Sequence, residues 1–255
     1  MKLGLDDYAR LASPIHRWLP KYKLIGLMAL ILAFSFVRSL ALLPVIALST
    51  FMFYYAAGLP LSFWRQRLQV PGIFLAMVVV LLPFLSGSTV IATLGPLQIY
   101  QEGLLAVVLV SVRFVCILTL GLVLFGTAPF FETIRAMRSL GLPPILADMT
   151  VLTYRYIFEI GDYFRSMRTA MQLRGFDSHR FNWRTFKNLA ALAGSLLIRS
   201  YEKSEQVYKA MLLRGYGYGD PIKGPQFKPT RRDRLLLGLT FTLAAGVLIA
   251  ELVIN

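Results

Sequence analysis

The chain has 255 residues, of which 56% are apolar, and a formal net charge of +14. Several long stretches carry no charge, among them residues 40–64, 70–100 and 235–250. Since a helix needs roughly 20 apolar residues to cross a bilayer, this composition excludes an ordinary soluble domain and predicts a membrane protein.

The basic residues are distributed unevenly along the chain. Eighteen of the 27 Lys and Arg residues lie between Arg135 and Arg234, and five precede residue 24. Basic residues favour cytoplasmic loops, so both regions are predicted to be cytosolic. Membrane topology therefore accounts for the high net charge, and nucleic acid is not an expected partner.

The apolar runs predict five membrane spans, with the N-terminus in the cytosol and the C-terminus outside. These spans are predicted at residues 24–37, 40–59, 70–85, 104–125 and 235–254. The predicted fold class is therefore all-α, a polytopic membrane protein. Residues 1–128 would hold the first four transmembrane helices, 129–234 a cytosolic helical region, and 235–255 the last transmembrane helix.

The connections between the first spans follow from charge and turn residues. Arg38-Ser39 predicts a tight outer turn, and Arg65 and Arg67 mark an inner loop closed by Pro71-Gly72. Residues 86–103 contain no Lys or Arg and fit an outer loop or a re-entrant piece. A short helix within 86–96 is an alternative that leaves the span count open by one.

The cytosolic region is predicted to contain two long helices. Gly141-Leu142-Pro143-Pro144 ends a preceding short helix. Apolar residues then recur at intervals of three, four or seven up to Met171, which predicts one amphipathic helix ending at Gly175. A second helix is predicted from Asn182-Trp183 to Gly215. Its apolar first part, residues 189–198, would lie on the membrane surface or against the first helix.

Both predicted helices end in nearly the same seven-residue sequence motif, and the two copies are forty residues apart. Residues 170–176 read Ala-Met-Gln-Leu-Arg-Gly-Phe and residues 210–216 read Ala-Met-Leu-Leu-Arg-Gly-Tyr, so five of seven positions are identical. One such ending has a simple explanation, because a cation suits the negative end of a helix. Two matched copies instead indicate a partner that offers two equivalent binding sites.

The residue types in each copy suit a binding tip. The arginine offers five donors in a planar fork, and the alanine four residues earlier leaves room on the same helix face. Methionine gives a pliable apolar contact, and glycine permits the chain to leave the helix at once. The candidate partner-binding residues are Ala170, Met171, Leu173, Arg174 and Gly175, with Ala210, Met211, Leu213, Arg214 and Gly215.

These motifs carry a resemblance to a known family. The chain resembles the transmembrane (T) component of energy-coupling-factor (ECF) transporters, and closely its CbiQ/NikQ branch, which imports cobalt or nickel ions. The resemblance rests on the x-Arg-Gly motifs at 173–175 and 213–215, and on residues 140–143, 152–156, 165–175 and 196–215. The family pattern often has alanine before the arginine, whereas leucine stands there in this chain.

The resemblance implies a mechanical role in a bacterial or archaeal cell membrane. Two crossing cytosolic helices would dock their arginine tips into two ATPase subunits and pass ATP-driven motion to a separate substrate-binding membrane subunit. The chain itself would not be an enzyme, since it contains no G-x-x-x-x-G-K-[ST] phosphate-binding loop. Matched tips favour matched sockets, and hence an ATPase homodimer.

Other readings remain open at this point. The same scaffold could serve a vitamin importer, and more distant alternatives are a membrane-embedded enzyme or a channel. An enzyme would need intramembrane acidic or histidine clusters, but Glu102 is the one acidic residue between residues 24 and 125. With His16 and His179 as the two histidines, no metal site and no cofactor are expected. Arg113, inside a predicted span, has either a structural partner or a role near the companion subunit.

Overall fold

The computed structural model describes residues 13–85, 90–94, 97–176, 182–217 and 229–254. Over these ranges the chain is helical apart from one short hairpin, and it divides into two compact units. The first unit, the membrane unit, holds α1 to α4, the hairpin, most of α5, and α8; the second, the tip unit, holds α6 and α7. The elements are α1 Pro20–Phe36, a 3₁₀ turn Leu40–Leu42, α2 Leu43–Ala57, α3 Leu61–Leu85, β1 Val90–Leu94, β2 Leu97–Tyr100, α4 Gln101–Gly126, α5 Phe130–Ser139, α6 Pro144–Leu173, α7 Trp183–Leu213 and α8 Arg231–Ile254.

Four helical segments are long and apolar enough to cross a membrane. They are Leu40–Ala57, Leu61–Pro83, Gln101–Gly126 and Arg231–Ile254. The protein is therefore an all-α, multi-pass membrane protein, as predicted. The remaining predicted span falls in α1, whose 17 residues rise by about 25 Å, less than the ~30 Å hydrocarbon core. That fifth span stays a prediction.

The predicted inner loop around Arg65 and Arg67 is wrong. Both arginines lie within α3, which continues through Pro71 and Gly72. The chain turns earlier, where Gly58 adopts the left-handed conformation at φ 65°. A proline costs a helix one hydrogen bond, but within a bilayer a broken helix would leave more backbone groups without partners.

The segment between α3 and α4 contains a β-hairpin instead of the alternative short helix. β1 pairs with β2 in antiparallel fashion, with Thr93 opposite Gln98 and Leu94 opposite Leu97. Residues 90–94 are rich in β-branched side chains, which favours extended structure. The predicted non-spanning connection is thus present, and α4 begins directly after β2.

The core of the membrane unit is built around α1. Leu27, Leu30 and Phe34 of this helix are fully buried. α1 packs against α8 and α4, and at Gly26 the approach to α8 is close: a Cβ atom there would lie 2.5 Å from the Thr240 Oγ1 atom. Glycine is therefore required at position 26 for α8 to pack at this distance.

Two acidic residues of α8 hold the two ends of α1. At the start of α1, the Asp233 carboxylate accepts hydrogen bonds from the Leu19 N–H at 3.1 Å and the Thr230 N–H at 2.9 Å. Beyond its end, the Glu251 carboxylate accepts from the Arg38 N–H at 2.9 Å and from the Ser39 hydroxyl at 2.8 Å. These bonds satisfy backbone donors that the helices cannot satisfy themselves.

Arg113 has a structural partner, which settles one of the two alternatives left by the sequence. Its guanidinium donates to the Ser35 carbonyl at 3.2 Å and to the Val37 carbonyl at 3.1 Å, at the C-terminal end of α1. A cation is favourable at this end, because the last carbonyls of a helix carry partial negative charge. Arg113 therefore joins α4 to α1.

The helix boundaries of the tip unit agree closely with the sequence. α5 ends at Ser139, and Gly141 adopts φ 112°, while the Leu142 N–H bonds the Met137 carbonyl at 3.1 Å. α6 and α7 then run for 30 and 31 residues, each to the leucine before its arginine. The predicted break and both long helices are confirmed.

Glu251→Ala should lower the thermal unfolding midpoint of the protein in mild detergent, because it leaves the Arg38 and Ser39 backbone N–H groups, which both bond this carboxylate, in a largely apolar setting without an acceptor. The midpoint of Glu251→Gln should lie between those of the unsubstituted protein and Glu251→Ala, since the glutamine amide oxygen can still accept a hydrogen bond. Glu202→Ala, which removes an exposed carboxylate from α7, serves as the control. Equal midpoints for Glu251→Ala and Glu202→Ala would contradict this role.

Candidate functional site: two matched helix tips

The two x-Arg-Gly motifs have the same backbone conformation. Arg174 follows α6 with φ −89° and ψ 15°, and Arg214 follows α7 with φ −90° and ψ 8°. The next residues, Gly175 and Gly215, have φ 81° and φ 80°. Such positive φ angles are costly for any residue with a Cβ atom, so the glycines account for the sharp helix ends.

The hydrogen bonds at the two ends match as well. In the first tip, the Gly175 N–H bonds the Gln172 carbonyl at 3.0 Å and the Phe176 N–H bonds the Met171 carbonyl at 3.0 Å. In the second, the equivalent distances to the Leu212 and Met211 carbonyls are 2.9 and 3.0 Å. This pattern is the Schellman motif. The repeated sequence therefore specifies a repeated local structure.

The side chains of the motif divide into exposed and half-buried groups. The Leu173 and Leu213 side chains are 85% and 90% exposed, and both arginines are exposed. The two methionines and the following aromatic residues are half-buried in both tips. The leucines and arginines are thus the more accessible residues of each tip, and partner contact by the methionines stays a prediction.

The two tips lie at opposite ends of the α6–α7 pair. Lys203 of α7 forms an ion pair with Glu159 of α6 at 2.7 Å, and the Arg199 guanidinium lies 4.5 Å from the centre of the Tyr163 ring. The higher-numbered residue of α7 thus pairs with the lower-numbered residue of α6, so the two helices run antiparallel. Tyr216 contacts Asp148 near the start of α6, so the second tip is about 40 Å from Arg174 along that helix, at 1.5 Å per residue.

The interface between α6 and α7 combines polar contacts at mid-length with apolar side chains on both sides of them. The hydrogen bond that the Lys203 ammonium donates to the Glu159 carboxylate raises the pKa of Lys203. An apolar cavity of about 780 Å³ lies between the helices, lined by residues that include Met149, Leu152, Ile160, Leu196, Val207 and Met211. From Leu196 onward α7 therefore lies against α6, whereas Leu189, Leu197 and Ile198 are exposed, so both predicted alternatives for residues 189–198 stay open.

The second tip has a tether that the first lacks. The Tyr216 hydroxyl donates to the Asp148 Oδ2 atom at 3.2 Å, and Asp148 Oδ1 lies 3.5 Å from the Arg138 guanidinium. Partial burial, together with the hydrogen bond to Asp148, raises the pKa of the Tyr216 phenol. Phe176 has no hydroxyl for such a bond. In the sequence, the one indication of this hydrogen bond is that the second motif ends in tyrosine, which has a hydroxyl, and the first in phenylalanine.

Two further ion pairs lie within single helices, one on α6 and one on α7. Asp162 lies 3.8 Å from Arg165, and Glu205 lies 2.9 Å from Lys209. Within the described part of the chain, no three His, Cys, Asp or Glu side chains come together as a metal site would require. His16 bonds Ser13 at 2.6 Å, and His179 lies outside the described residues.

Comparison with known proteins agrees with these features. Residues 12–223 match the CbiQ family, described as a cobalt transport protein. The chain is 28% identical to the energy-coupling factor transporter transmembrane protein EcfT of Bacillus selenitireducens, over 96% of this chain and 95% of that protein. It is 27% identical to the cobalt transport protein CbiQ of Rhodobacter capsulatus, over 82% and 81% of the two chains. A further EcfT, from Listeria innocua, is 26% identical over 86% of each chain.

The family match over most of the chain, together with four helices among the described residues that are able to span a membrane, makes this protein a membrane component of a transporter. The chain belongs to the CbiQ family, the cobalt-transport branch of the T components of ECF transporters.

Replacing a tip glycine should loosen the tip, and replacing a helix glycine should not. Gly175→Ala or Gly215→Ala should destabilise its helix end by about 1 kcal/mol, because the left-handed conformation is unfavourable for alanine. A Cβ atom would meet nothing within 4 Å at either position, so the cost is confined to the backbone. Faster hydrogen exchange of the tip amides would report it.

Gly161→Ala in α6 and Gly194→Ala in α7 are matched controls, since a Cβ atom there also meets nothing within 4 Å. Both residues lie inside helices, so alanine should stabilise by roughly 0.5–1 kcal/mol. If the tip and helix substitutions changed hydrogen exchange in the same direction, the assigned role of the positive φ angles would be wrong.

Proposed function

We propose that this chain is the coupling subunit of an ATP-driven ECF-type importer. The two arginine tips would dock into two ATPase subunits, and the chain itself would neither bind nor hydrolyse ATP. The observation that carries this proposal is the identical geometry of two exposed tips at opposite ends of one antiparallel helix pair. Two such tips can engage two equivalent sites on separate subunits, but they cannot share one site.

The contacts between α6 and α7 support a role in transmitting force. The Glu159–Lys203 ion pair and the stacking of Arg199 on Tyr163 join the helices at mid-length, so displacement of one tip moves the other helix too. ATP-driven closure of the ATPases would move the two tips relative to each other. The helix pair would transmit this movement to a separate substrate-binding membrane subunit. In this proposal, residues 129–234 form the coupling region between the transmembrane parts 1–128 and 235–255.

Cobalt or nickel ions are the proposed substrate. The family description and the CbiQ protein of Rhodobacter capsulatus support this choice. Substrate capture is assigned to the separate membrane subunit, because the described residues hold no cluster of metal-binding side chains. The similarity to EcfT over nearly the whole chain favours a second candidate, a T component serving another substrate such as a vitamin.

Arg174→Glu combined with Arg214→Glu should separate the chain from its ATPases while it remains folded in the membrane. An interface arginine contributes about 2 kcal/mol or more, and reversal of its charge also introduces repulsion. Each single variant should be less defective than the double variant, because the other tip still holds the complex together. Co-purification in mild detergent and substrate uptake measure the effect.

Arg155→Glu with Arg168→Glu is the matched control, since it makes the same change in net charge at exposed positions of α6 that lie between the two tips. This control should keep its ATPases. Full complex formation and full transport by the Arg174→Glu, Arg214→Glu variant would refute the proposal.

The ATPase partner is proposed to be a homodimer, because the two tips agree in backbone angles, hydrogen bonds and exposure. Intact mass measurement of the purified complex would identify the ATPase chains. One ATPase species at two copies per transporter is expected. Two different ATPases at equal stoichiometry would refute the homodimer and favour the second candidate.

The proposed location is the bacterial or archaeal cell membrane, with the N-terminus and residues 129–234 in the cytosol and the C-terminus outside. In a Cys116→Ala background, Glu202→Cys should resist an impermeant thiol reagent in intact cells, whereas Val253→Cys should react. Permeabilised cells provide the control, since Glu202→Cys, which is exposed and away from the tips, should then react. Labelling of Glu202→Cys in intact cells would contradict the orientation.

A further inference from the structure

Leu173 and Leu213 are the most exposed large apolar side chains among the described residues, at 85% and 90%. Neither lies on a helix that could cross the membrane. They occupy the same position in the two tips, directly before the arginine. Exposure of one leucine is ordinary on a protein surface. Its repetition at equivalent positions of two matched helix ends calls for a shared cause.

The other motif residues have roles within the chain itself. Gly175 and Gly215 supply the positive φ angles. A Schellman motif is commonly accompanied by an apolar contact between the residue after the glycine and the third residue from the helix end. Those positions are Phe176 with Met171 in the first tip, and both are half-buried. The leucine before the arginine is instead the large apolar residue of the motif whose side chain is almost fully exposed in both tips.

We propose that each leucine inserts into an apolar pocket of the ATPase, beside the oxygen atoms that accept hydrogen bonds from the neighbouring arginine. The leucine would then determine how tightly this chain binds its own ATPase. This inference rests on the proposed function and names the chemistry of the partner surface: one leucine-sized apolar pocket rimmed by carboxylate or carbonyl oxygens, present once in each subunit.

A protein groove fits this surface better than a lipid bilayer does. The Schellman hydrogen bonds satisfy two of the terminal carbonyls at each tip, and among the described residues the carbonyls of the leucine and the arginine are those still open to a partner. Burial of these groups in hydrocarbon would be costly, whereas a protein groove can supply donors. The arginine next to each leucine also requires oxygen acceptors at short range.

The test measures binding of the purified ATPase to the detergent-solubilised chain carrying Leu173→Ala and Leu213→Ala. Affinity should fall roughly tenfold for each leucine, as expected for loss of its apolar burial. The thermal unfolding midpoint of the chain should not change, since the side chains are exposed. Leu173→Met with Leu213→Met should keep most of the affinity, because methionine conserves the volume.

Leu197→Ala is the matched control, because Leu197 is an exposed leucine of α7 away from the tip. It should bind the ATPase normally. If the double alanine variant binds as tightly as the unsubstituted chain while Arg174→Glu with Arg214→Glu does not bind, the leucine proposal is overturned and the proposed function stands. If neither variant loses affinity, both proposals fail.

A membrane role for the leucines would give a different result. The chain in phosphatidylglycerol-containing nanodiscs should bind the ATPase with the same leucine dependence as in detergent. Leucine dependence in nanodiscs that disappears in detergent would assign these side chains to the lipid surface and overturn the proposal.

Discussion

Every helix end exposes backbone groups that need hydrogen-bond partners, and the two units of this protein satisfy that requirement in different ways. In the membrane unit, water is scarce and side chains supply the partners. Asp233 and Glu251 of α8 accept hydrogen bonds from N–H groups flanking α1, while Arg113 of α4 donates to its terminal carbonyls. The same bonds join α1 to its neighbours, so satisfying the helix ends also assembles the unit.

In the tip unit, the backbone itself closes the helix ends. Gly175 and Gly215 turn the chain sharply, and the N–H groups that follow return to the Gln172 and Leu212 carbonyls and their neighbours. No long side chain is needed for capping, which leaves leucine and arginine exposed at each tip. A helix end made in this way is a small, well-defined surface, and two of them on one antiparallel pair suit a subunit that must hold two partners at once.

The sequence predicted those features that depend on local rules. Glycine in the left-handed conformation, proline at a helix start and apolar periodicity placed α6, α7 and both tips to within a few residues. It failed at Arg65, Arg67 and Pro71, because charge and proline usually mark a loop, whereas the bilayer favours an unbroken helix in α3. It also could not find the partner of Arg113 or the tether from Tyr216 to Asp148, since both join residues far apart in sequence.

We propose that the two tips occupy equivalent sites on two copies of one ATPase. A photo-crosslinking amino acid at position 172, and separately at position 212, tests this directly in the assembled transporter, because these are equivalent exposed positions that lie beside the proposed contact residues. Both positions should crosslink to the same peptide of the same ATPase. Crosslinks to different proteins, or to lipid alone at either position, would contradict it.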